Sequence, residues 1–408
     1  MQIHVVQSGQ TLYGIARTYG ISVADLSAAN QINPIQTLVI GQALVIPISG
    51  MYYFVQPGDT LYKIGRRFGV NHLRLAQMNA INPIDPLQIG FRLYIPPAPK
   101  TPVESNAYVE AVNGRFTDAA TSAVVEHAPL LTYLAPFSFE ARPDGSLATF
   151  DVSPIKGASA GSGAVLMMAV TNLENGQFSD AVGEAILNDT SVQDVLLDHI
   201  IEAAGEYGFQ DIHFDFEYLR PEDREPYNAF LKKAAQRLHA ERLLISTALA
   251  PKTSASQTGQ WYTAHDYRAH GEIVDFVVIM TYEWGYSAGP PMAVSPIGPV
   301  RQVLEYAKTE IPANKIMMGQ NLYGYDWTLP FVKGGAYARA ISPQTAISLA
   351  RENHAFIEYD YTAQAPFFYY RDASQKQHVV WFEDARSIQA KFDLLKELSC
   401  LLYTSDAA

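Results

Sequence analysis

The sequence predicts an α/β protein in which a (β/α)8-type TIM barrel with a small α+β insertion follows two small βααβ repeats. Residues 2–48 and 51–97 contain two copies of one pattern at a constant offset of 49 residues. A proline-rich segment follows them, and strand and helix patterns alternate from residue 103 onward. A fixed offset indicates tandem folding units, and alternating strands and helices indicate parallel βα units, which at this length favours a closed barrel.

The two repeats share sequence motifs at both ends of the unit. Val6–Tyr13 (VQSGQTLY) recurs as Val55–Tyr62 (VQPGDTLY), and Asn30–Ile35 (NQINPI) recurs as Asn79–Ile84 (NAINPI). The threonine of each first motif can cap a helix with one apolar face, and a glycine can end that helix. Each copy is therefore predicted to form a strand, two helices and a closing strand.

These motifs resemble the LysM module, and the resemblance covers nearly all of both copies. It implies binding of glycans that contain N-acetylglucosamine, in a groove between the loop after the first strand and the loop before the last. The residues that it implicates in glycan binding are Gly9, Thr11, Leu12, Ile35, Gly58, Thr60, Leu61 and Ile84. The alternative is that these residues only shape turns. Two weak sites on one chain gain avidity when both can engage.

The domain boundaries follow from these patterns. The repeats occupy 2–48 and 51–97, and the proline-rich linker 98–102 is predicted to be a semi-rigid spacer. The barrel is assigned to 103–397, with an α+β insertion at about 335–383 whose last strand is His378–Phe382. The predicted barrel strands are Ala107–Ala111, Leu131–Phe137, Ala164–Thr171, Asp211–Glu217, Leu243–Leu249, Val274–Tyr282 and Lys315–Leu322.

The fourth predicted strand has the most informative pattern. The strand period of two gives it an apolar face for packing against helices, formed by Ile212, Phe214 and Phe216. The other face is ionisable and would point into the barrel; it consists of Asp211, His213, Asp215 and Glu217. Burying unpaired charge is costly, so such a row indicates a functional site rather than a structural polar network. Asp215 and Glu217 fall at the C-terminal end of the strand, where barrel enzymes have their active sites.

The stretch Gln210–Glu217 (QDIHFDFE) resembles the Asp-Gly-x-Asp-x-Asp-x-Glu pattern of glycoside hydrolase family 18. The last Asp and the Glu are kept, whereas Gln210, Asp211 and His213 replace the first Asp, the Gly and the middle Asp. Two further segments resemble family motifs, Met280–Glu283 (MTYE) and Leu322–Trp327 (LYGYDW). Three short segments also resemble the spore cortex-lytic N-acetylglucosaminidases, a narrower branch with tandem LysM modules: Ala250–Lys252, Glu283–Tyr286 and Gly289–Pro291.

The family resemblance implies substrate-assisted, retaining hydrolysis of β-linked N-acetylglucosamine. It assigns Glu217 as acid and then base, Asp215 as the group that holds the acetamido N–H, and Tyr282 as a donor to the acetamido oxygen. The supporting residues are His213, Asp211 and Glu283, and the substrate-binding aromatic residues are Trp284, Tyr286, Tyr323 and Trp327. Each of these aromatic residues could instead pack at the barrel rim. His213 could pair with Asp215 and, if cationic, would lower the pKa of that carboxyl group, so we expect a pH profile different from that of a chitinase.

Composition and charge disfavour several classes of protein. A net charge of −12 disfavours nucleic-acid binding and adsorption to anionic lipid. The apolar runs are shorter than the roughly 20 residues of a membrane span, and the single cysteine, Cys400, cannot form a disulfide framework. Metal-binding and phosphate-binding motifs are absent from the sequence, so we expect no metal and no cofactor. The expected partner is an N-acetylglucosamine-containing glycan, peptidoglycan or chitin, bound by a monomer.

The two ends of the chain carry further expectations. No signal-peptide pattern precedes the first strand, and the cortex-lytic resemblance implies deposition at the spore cortex or coat, or in the cell wall. The tail, 398–408, does not resemble the family's eighth strand, so we expect a truncated barrel of seven strands with two unpaired edges. Two other functions remain open, a chitinase and a non-catalytic glycan-binding coat protein. The presence of Asp215 and Glu217 favours a glycosidase.

Overall fold

The computed structural model describes residues 2–99 and 102–400, together with the backbone of 402–406. It consists of two small modules, a parallel barrel and an antiparallel sheet inserted into that barrel. Lys100 and Thr101 of the predicted linker lie outside the described residues. Within the described ranges, every helix is too short or too polar to span a lipid bilayer.

Both modules have the predicted order of elements, and in each the two strands pair antiparallel. Module 1 consists of β1 (Gln2–Val5), α1 (Leu12–Tyr19), α2 (Val23–Ala29) and β2 (Ala43–Ile46), and module 2 of β3 (Met51–Phe54), α3 (Leu61–Phe68), α4 (His72–Met78) and β4 (Arg92–Ile95). The hydroxyls of Thr11 and Thr60 cap α1 and α3. Gly20 and Gly69 end these helices with φ of +70° and +65°, a backbone conformation that glycine adopts without steric strain.

The remaining elements alternate between strands and helices along the chain. The first half contains β5 (Glu104–Glu110), α5 (Asp118–His127), β6 (Tyr133–Phe137), β7 (Phe139–Ala141), β8 (Leu147–Ala148), α6 (Ser153–Ala158), β9 (Val165–Thr171), β10 (Leu173–Glu174), β11 (Gln177–Phe178), α7 (Asp180–Leu187), α8 (Thr190–Tyr207) and β12 (Asp211–Asp215). The second half contains α9 (Arg224–Ala240), β13 (Leu244–Leu249), α10 (Tyr267–Ile273), β14 (Phe276–Ile279), α11 (Ile297–Glu310), β15 (Ile316–Asn321), β16 (Gly324–Thr328), β17 (Arg339–Ile341), α12 (Pro343–Glu352), β18 (Glu358–Asp360), β19 (Ala365–Arg371), β20 (Gln377–Trp381), α13 (Ala385–Leu398) and β21 (Leu402–Asp406). Single turns of 3-10 helix occur at Ala128–Leu130, Pro221–Asp223 and Ala313–Lys315.

Eight parallel strands close the barrel, in the order β5, β6, β9, β12, β13, β14, β15 and β21. The predicted absence of the eighth strand is therefore wrong, because β21 pairs with β15 on one side and with β5 on the other. Strand pairing uses backbone groups, so a segment unlike the family in sequence can still fill the gap between two open edges. Leu401, Ala407 and Ala408 of the tail lie outside the described residues.

The hydrophobic core lies mainly between the barrel and its helices. Ile212, Phe214 and Phe216 of the fourth strand region are fully buried there. Phe214 and Phe216 pack against the ring of Phe230 on α9, with ring centroids 5.1 and 6.1 Å apart. The predicted outward direction of this apolar face is confirmed, so Asp211 and His213 point into the barrel.

The insertion between β15 and α13 is an antiparallel sheet with the strand order β17, β16, β20, β19, β18. It begins with β16, which precedes the predicted range of 335–383, and its last strand along the chain is β20. Helix α12 covers one face of the sheet, where Ala346 and Ala350 pack against Phe368 and Val380. The insertion therefore has a small core of its own beside the barrel.

Module 1 contacts both the insertion and module 2. Val39 is buried in the core of the insertion, and the Ile357 N–H donates to the Ile40 carbonyl at 2.9 Å. On its other side, the Gln2 side chain accepts from the backbone N–H of Tyr52 in module 2 at 2.8 Å. These contacts connect module 2, module 1 and the insertion in series, with module 1 in the middle.

Candidate active site

The strand β12 ends in a buried polar group beneath the mouth of the barrel. The Ser246 hydroxyl donates to Asp211 Oδ2 at 2.7 Å and lies 2.9 Å from His213 Nδ1. His213 Nε2 lies 3.0 Å from the hydroxyl of Tyr108. Burial lowers the pKa of His213 to about 3 and raises the pKa of Asp211 to about 7. Both shifts favour the neutral form of the side chain.

The predicted pairing of a cationic His213 with Asp215 is wrong. Both ring nitrogens of His213 contact hydroxyl groups, on β5 and β13, and burial holds the pKa of the imidazole far below neutral pH. The side chain of β12 that follows on the same face, Asp215, instead borders an open cavity. His213 thus lies below the site as a neutral, hydrogen-bonded group, beside Asp211, whose raised pKa favours its protonated form more than in an exposed carboxyl group.

The cavity has a volume of about 720 Å³ and lies at the C-terminal end of the barrel strands. Five residues predicted for the site line it: Asp215, Glu217, Tyr282, Glu283 and Tyr286. The remaining lining residues are Tyr108, Glu110, Phe137, Phe178, Ala248, Ala250, Pro251, Trp261, Tyr262, Val278 and Met280. The structure therefore brings the predicted acid, its neighbouring carboxylate and the predicted tyrosine into one concave site with aromatic walls.

Three of the predicted substrate-binding aromatic residues are absent from the described lining of this cavity. Trp284 packs against the core between barrel and helices. Tyr323 and Trp327 are buried at the base of the insertion, where the Trp327 indole N–H donates to the Gly289 carbonyl at 2.9 Å. The packing of these three rings fits the alternative that they pack beside the barrel rather than line the cavity.

Glu283 takes part in the site through the insertion. Its backbone has a φ of +66°, which is uncommon for a residue other than glycine and turns the chain sharply after β14. The hydroxyls of Tyr323 and Tyr325 both donate to its Oε1, the second at 3.0 Å. The insertion therefore holds one carboxylate of the cavity in place.

The described part of the chain, 2–99 and 102–400 with the 402–406 strand, has no group of three His, Cys, Asp or Glu side chains arranged to hold a metal ion. The site is instead defined by carboxylates, tyrosine hydroxyls and aromatic rings. This combination suits proton transfer and the binding of a ligand that combines polar groups with an apolar face.

Comparison with known proteins decides the family. The family model described as glycosyl hydrolases family 18 matches residues 138–400, which is more than half of the chain. The chain belongs to glycosyl hydrolase family 18. LysM domain models match residues 4–47 and 53–96, so two LysM modules precede the family 18 barrel.

Full-length relatives share this arrangement of domains. The chain is 63% identical to the cortical fragment-lytic enzyme of Bacillus subtilis (strain 168), over 98% of this chain and 93% of that protein. It is 52% identical to the cortical fragment-lytic enzyme of Bacillus anthracis, over 97% and 92%. The crystal structure of the Bacillus megaterium spore cortex-lytic enzyme SleL superposes with a TM-score of 0.91 at 52% identity, covering 99% of this chain and 94% of that one.

Several residues that line the cavity were not predicted from the sequence. Glu110 and Phe137 end β5 and β6, and Trp261 and Tyr262 lie in the long loop between β13 and α10. The Trp261 side chain is 46% exposed, and its ring centroid lies 4.9 Å from that of Tyr218, the residue after Glu217. Their position at C-terminal strand ends and in a βα loop is the signal that could have identified them.

In the LysM modules the predicted glycan-binding residues divide into exposed and buried groups. Ile35 and Ile84 are 91% and 85% exposed, on the loops before the closing strands. Gly9 and Gly58 adopt φ of +77° and +81° in the opposite loops. Leu12 and Leu61 are buried in the module cores, and Thr11 and Thr60 are helix caps. Exposed apolar side chains on these loops are available to a ligand, whereas the leucine side chains are not.

Proposed function

We propose that this family 18 glycosidase cleaves β-linked N-acetylglucosamine in peptidoglycan, and that its substrate is spore cortex fragments. The observation that supports the reaction is the shared cavity of Glu217, Asp215 and Tyr282 at the C-terminal end of the barrel. The names of the full-length Bacillus relatives support the substrate. Action on cortex would take place at the spore.

In the proposed reaction the sugar's own acetamido group is the nucleophile. Glu217 protonates the leaving glycosidic oxygen, and the acetamido carbonyl oxygen attacks the anomeric carbon to give an oxazolinium ion. Asp215 accepts the acetamido N–H and stabilises the positive charge, and the Tyr282 hydroxyl donates to the acetamido oxygen. Glu217 then removes a proton from water, which attacks the anomeric carbon with overall retention.

The charge of the cavity supports a substrate without negative charge near the cleaved bond. Glu110, Asp215, Glu217 and Glu283 line it, and the described lining includes neither lysine nor arginine. A polyanionic ligand would be repelled there, whereas the hydroxyl and acetamido groups of a sugar can donate hydrogen bonds to carboxylates. Tyr262 and Trp261 add aromatic surface on which a sugar ring can pack.

The two LysM modules are proposed to hold the same polymer. They place exposed isoleucines, Ile35 and Ile84, on loops outside the barrel. Binding of one glycan chain by both modules and the barrel raises the local concentration of substrate at the cavity. This role predicts that the modules affect turnover of long glycans more than that of short ones.

The decisive experiment compares wild type with Glu217→Gln on soluble cortex fragments. The amide cannot donate and then accept the catalytic proton, so release of reducing ends is expected to fall by at least about 10²-fold. Glu126→Gln is the matched control, because Glu126 is an exposed residue of α5, remote from the cavity lining. Equal release by wild type and Glu217→Gln would contradict the proposed mechanism.

The product identifies the cleaved bond. Reduction with borohydride followed by mass spectrometry is expected to show N-acetylglucosamine at the new reducing end. Muramic acid at that end would exclude a glucosaminidase. Faster cleavage of chitin oligomers than of cortex fragments would contradict the proposed substrate while leaving the reaction intact.

A further inference from the structure

The proposed acid lies beyond the last regular pair of the barrel sheet. Strand β12 pairs with β9 as far as Asp215 and with β13 as far as Phe214. Phe216 and Glu217 follow this ladder, so their backbone groups need partners from elsewhere. Because general acid catalysis depends on positions within a fraction of an ångström, these partners matter for the reaction.

Asn172 supplies partners on one side. It follows β9 directly and is fully buried. Its Oδ1 accepts from the Glu217 N–H and its Nδ2 donates to the Glu217 carbonyl, both at 2.9 Å. One amide side chain thus makes with Glu217 the two hydrogen bonds that a neighbouring strand residue would make.

The same amide connects Glu217 to a wall of the cavity. Asn172 Nδ2 also donates to the Ser179 carbonyl at 2.9 Å, and the Ser179 N–H donates to the Asn172 carbonyl at 3.0 Å. Ser179 follows the short hairpin of β10 and β11, which carries the cavity residue Phe178. Both amide protons of Asn172 are therefore used, which fixes the orientation of the side chain.

His265 supplies a partner on the other side. Its Nδ1 accepts from the Ala250 N–H at 2.8 Å, so its Nε2 carries the proton and donates to the Phe216 carbonyl at 2.9 Å. Burial lowers the pKa of this imidazole to about 4, in keeping with the neutral form that both bonds require. The ammonium group of Lys252 holds the His265 carbonyl at 3.1 Å.

We propose that Asn172 and His265 are positioning residues for Glu217, which together replace the missing sheet bonds of Phe216 and Glu217 from two sides. The proposal rests on the function of Glu217 as the acid. It explains why two buried polar side chains converge on the backbone immediately around this residue. Loss of either should displace Glu217 relative to the sugar without removing any group that touches the sugar.

The chain contains a matched control for Asn172. In module 2 the amide of Asn79 accepts from the Tyr94 N–H at 2.6 Å and donates to the Tyr94 carbonyl at 2.8 Å. An asparagine side chain therefore makes the same pair of backbone hydrogen bonds in module 2, away from the barrel. Asn79→Ala therefore measures the effect of losing such a pair on folding alone.

The test measures kcat and KM per folded molecule on short soluble cortex fragments, for wild type, Asn172→Ala, Asn79→Ala and Glu217→Gln. We expect Asn172→Ala to lower kcat by about 10²-fold, with a much smaller change in KM, because a displaced acid slows the chemical step. Asn79→Ala should keep the wild-type kcat. Folded Asn172→Ala with wild-type kcat, beside an inactive Glu217→Gln, overturns the positioning role, whereas an active Glu217→Gln overturns the proposed function itself.

His265 provides a second test that remains available when Asn172→Ala does not fold. His265→Gln can still donate to the Phe216 carbonyl and accept from the Ala250 N–H, whereas His265→Leu can do neither. We expect kcat to fall in His265→Leu and to recover in His265→Gln. Equal kcat values for His265→Leu and wild type would overturn the proposal.

Discussion

Burial favours the neutral forms of two ionisable side chains below the cavity, Asp211 and His213. The pKa of the acid rises to about 7 and that of the base falls to about 3. Each has a hydrogen bond with Ser246, and neither has a charged partner among the contacts of its ring or carboxylate in the described residues. His213 occupies the position where the family pattern has its middle aspartate. Asp215 therefore lies above a neutral histidine rather than above a second carboxyl group.

The neutral state of His213 predicts a pH-dependent stability. The unfolded chain takes up a proton on this histidine near pH 6.5, whereas folded His213 stays neutral down to about pH 3. The unfolded state thus binds more protons, and the free energy of unfolding falls as the pH is lowered through this range. His213→Asn removes the contribution, so its loss of stability between pH 6.5 and 4.5 should be smaller by roughly 2 kcal/mol.

Urea denaturation at several pH values measures this difference. The contribution of Asp211 has the opposite sign, because its folded form keeps a proton that the unfolded chain releases above about pH 4. That contribution is lost as the pH rises toward 7 and is present in both proteins, so it cancels in the comparison. His127→Asn, at an exposed residue of α5, is the control for loss of an imidazole. Parallel stability curves for His213→Asn and wild type would show that folding leaves the pKa of His213 unchanged.

The sequence was sufficient to predict the strand residues of the site, but not the residues that other segments bring to it. The period of two in β12 predicts which side chains point inward, as His213 and the outward Phe214 show. Trp261 lies in a loop, where no periodicity fixes its direction. Asn172 acts on Glu217 across 45 residues of chain, a contact that depends on the pairing of β9 with β12.

At the level of elements, the barrel strands were predictable because short apolar runs that alternate with longer helical patterns indicate parallel βα units. The eighth strand was not, since its prediction depended on family residues rather than on the backbone bonds that β21 makes. Helix α13 leads into this strand, and two of its ion pairs differ strongly in burial. Lys391 on α13 bonds to Glu383 at 2.8 Å with both side chains buried, whereas the partly exposed Arg301 of α11 bonds to the exposed Glu397 of α13.

The two ion pairs should contribute very differently to stability. Burial raises the pKa of Glu383 despite the opposing effect of Lys391, so removing the lysine leaves a buried carboxyl group without its cation. Lys391→Met is expected to lower the free energy of unfolding by about 3–5 kcal/mol. The double variant Lys391→Met, Glu383→Leu should recover most of this loss, since no buried charge remains.

Urea denaturation of the single and double variants measures the coupling between the two residues. Arg301→Met, which removes the cation that pairs with Glu397 of α13, is the matched control and should have a much smaller effect, because water already solvates that pair. If Lys391→Met lowers the free energy of unfolding no more than Arg301→Met does, the buried pair does not hold α13 more strongly than the solvated pair.

At the level of the whole molecule, the two LysM modules share their sequence motifs and their fold but have different surroundings. Gly41 of module 1 has a φ of +85°, and its carbonyl accepts from Arg386 of α13 at 3.1 Å. Gly90, its equivalent in module 2, has a φ of +81° and no atom within 4 Å of the position of a Cβ atom. The repeat motif is the same at both positions, so the sequence could not indicate which module docks on the insertion.

This difference allows the docking of module 1 to be tested with a single methyl group. In Gly41→Ala the new Cβ atom would lie 1.8 Å from the Ile357 carbonyl oxygen, which is far inside van der Waals contact. Gly90→Ala imposes the same left-handed backbone strain, about 1–2 kcal/mol, without any clash. We expect small-angle scattering to show a larger radius of gyration for Gly41→Ala alone, as module 1 separates from the insertion.

Both variants should cleave short soluble fragments at the wild-type rate, because the cavity is untouched, whereas Gly41→Ala should cleave long glycan strands several-fold more slowly. Wild-type scattering from Gly41→Ala would show that the docked arrangement does not depend on this close approach, and an equal loss in Gly90→Ala would attribute the effect to backbone strain.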